Sequence, residues 1–69
     1  MMIVFAQRLK ELRTENNLTQ TQVAAKLGIR QQSYTRYENG TGEPSLDTLV
    51  ALAKMYNVSI DYLLGLTDY

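Results

Sequence analysis

Apolar residues recur along this chain at helical spacing, in five runs separated by turn residues. Phe5, Leu9 and Leu12 mark one face of a first helix over about residues 4–15, with Arg8, Lys10 and Glu11 largely outward and Asn16-Asn17 breaking it. The second helix, about 20–27, has the clearest start. Thr19 can cap it, Gln22 three residues on closes a capping box, and Leu18 and Val23 sit where a hydrophobic staple would. Val23, Ala24 and Leu27 follow at helical spacing, and Gly28 offers the positive φ of a sharp turn. A third helix, about 30–39, keeps Ile29, Tyr34 and Tyr37 on one side and stops at Asn39-Gly40. Thr41-Gly42-Glu43-Pro44 is loop, since Pro44 disfavours helix at Glu43. Ser45 caps a fourth helix, about 46–56, with Leu46, Leu49, Val50, Ala53 and Tyr56 along the side expected to face the core. Asn57 ends it. Ser59 caps a fifth, about 60–64, Val58 and Leu63 can form another staple, and Gly65 stops it. The predicted class is all-α, with five helices in one domain over residues 1–69.

The outer side of the third helix carries Arg30, Gln31, Gln32, Thr35 and Arg36. These side chains match base edges in a DNA major groove, where glutamine can bond adenine bidentately and arginine can do the same to guanine. Polar residues on a helix are usually just its solvated face. Here a short capped helix, a glycine turn and interleaved apolar positions precede them, which is how a helix-turn-helix is built.

Thr19 to Gly40, TQTQVAAKLGIRQQSYTRYENG, resembles the helix-turn-helix of the lambdoid phage repressor and Cro (XRE) family, and the similarity extends from about Phe5 to Leu64. The resemblance implies a sequence-specific DNA-binding transcription regulator of the repressor kind, acting as a homodimer on a near-palindromic operator in double-stranded DNA. It places base reading on Gln31, Gln32 and Arg36, with Arg30 and Thr35 on the same face. Gln20 corresponds to a glutamine that braces Gln31 and touches DNA, while Thr19, Ser33 and Asn39 fall at backbone-contacting positions. Arg13 and Glu38 correspond to a structural ion pair that leaves the guanidinium near a phosphate. Two departures stand out. Thr41, Gly42 and Glu43 supply no positive charge where many relatives carry one, and Arg30 replaces a common Ser or Thr cap. The segment from Pro44 to Gly65 is similar to the family's C-terminal helices, which often form the dimer contact. Tyr56, Tyr62, Leu64, Leu66 and Tyr69 are the candidates for it here.

The formal net charge of the 69 residues is zero, which looks wrong for a DNA binder until the charges are located. From Arg8 to Arg36 six bases face two acids, a balance of +4, whereas from Tyr37 onward one base faces five acids, a balance of −4. The basic half contains the reading helix. A chain this short buries only ~60% of its unfolded surface, so its helices must share one small core.

With no cysteine and no histidine, disulfides, thiolate chemistry and the usual zinc sites are excluded, and a cytoplasmic protein without cofactor or metal is expected. The apolar opening MMIVFA is too short for a membrane span and indicates no signal peptide. No constellation with a general base near neutrality suggests an enzyme, Gly40-Thr41-Gly42 lacks the lysine of a phosphate loop, and no small-molecule ligand is evident. The rival reading is a protein-binding module of antitoxin or adaptor type on the same fold, with the tyrosines meeting a partner. The joint chemistry of Gln20, Gln31, Gln32 and Arg36 favours DNA.

Overall fold

The computed structural model describes residues 3–69, in the order α1 (Ile3–Glu15), α2 (Gln20–Leu27), α3 (Gln31–Asn39), α4 (Leu46–Tyr56) and α5 (Ile60–Leu63). Met1 and Met2 of the apolar opening lie outside the described residues, which contain no strand.

The helix ends form where the side chains allow. Thr19 Oγ1 accepts the Gln22 N–H at 3.1 Å and Gln22 Oε1 accepts the Thr19 N–H at 2.8 Å, the reciprocal capping box expected for α2. Ser45 and Ser59 accept the N–H groups of Thr48 and Tyr62 and so start α4 and α5. Asn17 and Asn57 take left-handed conformations, with φ of 57° and 54°, and end α1 and α4. Three bounds differ by one residue from the sequence reading, the first being the start of α1 at Ile3 rather than at residue 4. Arg30 is extended and caps α3 without a side-chain bond, so that helix begins at Gln31. Leu64 is the C-cap of α5, which therefore ends at Leu63.

One core joins the five helices: Phe5, Leu9 and Leu12 from α1, Val23 and Ala24 from α2, Tyr34 from α3, Leu49 and Leu52 from α4, and Leu63 from α5. Leu18 packs against this core, as a staple partner of Val23 should. Helix α3 packs chiefly on α1 and α2, while α4 packs on α5 and α2. Tyr37 meets Phe5 and Tyr34 edge-on, with ring centroids 6.4 and 6.3 Å away, and so closes the seam between α1 and α3.

Two expectations are corrected. On α4, Leu46 and Val50 are exposed and Leu52 is fully buried, so the helix is rotated from the side predicted for its core. The outward side of the segment is marked by Asp47 and Lys54 alone, and its rotation is decided by what α2 and α5 present to it. Arg8 is not outward. Its guanidinium lies 4.2 Å from the centroid of the Tyr62 ring and donates to the carbonyl oxygens of Tyr62 and Thr67, tying the C-terminal tail to α1.

The chain turns at Gly65, with φ 80°, where a Cβ would come within 2.7 Å of Val4 Cγ1. Gly28 has a similar φ of 70° but open space around it. Gly28→Ala should therefore cost only the backbone strain, about 1 kcal/mol. Gly65→Ala adds displacement of a stiff β-branched neighbour and should cost about 2 kcal/mol or more. Urea denaturation of the two variants checks the order, and equal losses would contradict it.

Candidate nucleic-acid interface

Helix α3 is divided by its own periodicity. Tyr34 is buried, Tyr37 is half-buried, and Gln31, Gln32, Arg36 and Asn39 face solvent together with Arg30 at the cap. Gln31, Gln32, Thr35 and Arg36 line a shallow concavity on that outer face. A second hollow, lined by Ser33, Arg36, Tyr37, Gly42 and Glu43, lies where the helix meets the loop after it.

The inner side of α3 is held by Glu38, whose side chain is only 3% exposed. Its Oε2 accepts Arg13 Nε at 2.7 Å and the Tyr34 hydroxyl at 2.5 Å. Its Oε1 accepts Arg13 Nη2 at 3.1 Å and Gln20 Nε2 at 3.2 Å. Arg13 thus grips the carboxylate with two parallel N–H groups, and its Nη1 donates to the Leu18 carbonyl at 3.0 Å. Four donors from α1, α2 and α3 converge on one buried charge. Burial pushes the Glu38 carboxyl up, but the bonds from Arg13, Tyr34 and Gln20 outweigh it and hold the pKa below its ordinary value. The bond to Glu38 raises Arg13 in turn. Burial, reinforced by the adjacent carboxylate, pushes the Tyr34 phenol far up.

Gln20 is the junction between this anchor and the outer face. While Nε2 donates to Glu38, Oε1 accepts the Thr35 hydroxyl at 2.8 Å. The expected brace from Gln20 to Gln31 does not form. Gln31 Oε1 accepts from Thr21 Oγ1 at 2.8 Å, so Thr21 does the bracing. A bond to a buried carboxylate is stronger than one between neutral amides, and that draws the Gln20 amide inward.

The other predicted residues fall as follows. Ser33 and Thr35 are partly buried on the flanks of α3. Thr19 is exposed, its oxygen occupied by the cap. The Arg13 side chain is 14% exposed, most of it spent on Glu38 and Leu18. Tyr56, Tyr62 and Leu64 pack against the core, whereas Leu66 and Tyr69 are exposed. Burial also raises the Tyr56 phenol, and its hydroxyl has no hydrogen-bond partner among the described residues. Sequence reasoning missed Thr21 and the Tyr34 hydroxyl. For Tyr34 a signal was present, since Glu38 stands four residues on, on the same helix face.

A family model described as helix-turn-helix matches residues 9–63. The chain belongs to the Cro/C1-type (XRE) helix-turn-helix family. It is 51% identical over 65 residues to the uncharacterized HTH-type transcriptional regulator YobD of Bacillus subtilis, covering 94% of this chain and 58% of that protein. It is 47% identical over 58 residues to the HTH-type transcriptional regulator ImmR of the same organism, covering 84% and 46%. With the cryptic phage CTXphi transcriptional repressor RstR of Vibrio cholerae the identity is 39% over 62 residues, covering 90% and 56%. The chain spans about half the length of the curated relatives it matches.

Glu38→Gln should cost about 3 kcal/mol, because it leaves the Arg13 charge largely buried without its counter-ion. The pH dependence has a definite sign. With the folded-state pKa of Glu38 below its ordinary 4.5, the unfolded chain takes up the proton more readily. The contribution of Glu38 is fully present above pH 4.5 and is lost as pH falls from there through the folded-state value. Denaturant titrations at a series of pH values should show this acid loss in the parent chain and a shallower one in Glu38→Gln. Parallel curves would contradict it.

Proposed function

We propose that this protein is a sequence-specific DNA-binding transcription regulator of the repressor kind, which binds a near-palindromic operator as a homodimer with one α3 in each of two successive major grooves, ~34 Å apart. The observation that carries the reading is the two-sided construction of α3. Its inner side is fixed to α1 and α2 through Glu38, and its outer side presents Gln31, Gln32 and Arg36 free of the core. The repressor named among the relatives supports the direction of regulation.

In this reading Arg36 takes a guanine bidentately, and Gln32 takes an adenine through its amide. Gln31 has one carbonyl lone pair engaged by Thr21 and keeps the other lone pair and both N–H donors for a base edge. Thr35 and Arg30 border the same face, while Ser33 and Asn39 meet phosphates. Double-stranded DNA in the cytoplasm is the partner. No helix among the described residues is long and apolar enough to cross a membrane. The uncharged loop at Thr41-Gly42 gives the backbone less to hold, so fewer counterions should be released than in relatives with a basic loop.

Selection from random duplex DNA, followed by titration of the recovered site at several salt concentrations, tests the reading. A near-palindrome is expected, with log affinity falling against log salt by ~0.9 per neutralised phosphate. Arg36→Ala should lose ~1–3 kcal/mol on that site and relax one position, whereas Asn39→Ala should weaken all sequences alike. No enrichment from a folded protein would overturn it, and equal losses for Arg36→Ala on specific and random DNA would remove Arg36 from the reading set.

A further inference from the structure

Helix α4 presents an apolar ridge to solvent. Leu46 is 78% exposed and Val50 is 41% exposed, one helical turn apart, while Leu49 and Leu52 of the same helix are buried in the core. One exposed leucine means little on its own. What gives this ridge meaning is its charged flank, Asp47 and Lys54, both exposed. They stand seven residues apart, so they lie on the same side of the helix with ~10.5 Å of rise between them. Val50 lies about midway.

This pattern is complementary to itself. When a second copy of α4 is laid antiparallel across a two-fold axis beside Val50, Asp47 of each copy faces Lys54 of the other. The two Val50 side chains then meet near the axis, and each Leu46 lies against the C-terminal turn of the opposite helix. A parallel arrangement instead sets like charges together. We propose that Leu46, Asp47, Val50 and Lys54 form an antiparallel, isologous self-association surface whose occupant is a second copy of this chain. The inference deepens the dimeric reading of the function and rests on it. The apolar pair supplies the affinity, and the two charge pairs set the orientation. The rival patch, Ile3, Val4, Leu66 and Tyr69, has no such paired charges, since Asp68 beside it is turned toward Arg8.

Sedimentation equilibrium of the full chain at low salt, up to millimolar concentration, tests the surface without DNA. The parent chain should self-associate. Asp47→Lys and Lys54→Asp should each weaken association at least about tenfold by opposing like charges. Mixing those two variants, or combining the changes in one chain, should restore it. Val50→Glu should abolish it, with circular dichroism confirming that each variant folds. A monomeric parent chain, failure of the mixture to recover, or dissociation by Leu66→Ser with Val50→Glu still dimeric would each overturn the proposal. Because no DNA is present, this failure is distinct from failure of the operator selection.

Discussion

A carboxylate withdrawn from water is expensive unless donors surround it, and Glu38 has recruited donors from three helices. Nine residues of α3 could not hold a helix alone in water. What stabilises it is packing through Tyr34 and Tyr37 on one side of the seam and the Glu38 cluster at its C-terminal end. The ion pair fixes α3 to α1, and the Gln20 bond fixes it to α2. The angle between the two helices of the motif and their seating on the scaffold therefore depend on the same buried charge.

That dependence shapes the outer face. Gln20 touches Glu38 with one end of its amide and Thr35 with the other, so the orientation of a side chain at the rim of the outer face of α3 is set by the buried anchor. The charge polarity of the chain also changes once folded. Arg8 and Arg13 are spent on the tail and on Glu38, which leaves Lys10, Lys26, Arg30 and Arg36 as the outward positive charges of the basic half. With no base in the loop after α3, the DNA recognition proposed above leans on α3 itself more than on a surrounding field of charge.

Much of this is legible in the sequence, because local chemistry decides it. Thr19 with Gln22, Ser45 and Ser59 are caps whose partners lie three residues away, and Asn57 and Gly28 end helices by their own conformations. Arg13 and Glu38, 25 residues apart, are linked in the sequence only by the family resemblance, since no local rule connects them. What stayed hidden depends on distant partners. In LDTLVALAKMY the outward side is marked by Asp47 and Lys54 alone, and the apolar spacing that groups Leu46 and Val50 with Leu49 does not reveal that Leu52 turns inward while those two turn out. The partner of Arg8 is an aromatic ring 54 positions away. The inward pull on Gln20 follows from the burial of Glu38, which sequence spacing does not reveal.

The most direct test is to follow the backbone amide signals of the chain by NMR as the selected duplex is added. If the Glu38-anchored α3 is the reading element, the largest shifts fall on Thr19–Gln22 and Gln31–Asn39. Gln7, Glu11 and Thr14 on the outer face of α1 should then stay near their free positions. Shifts concentrated on α5 and the tail, with α3 unmoved, would contradict the account.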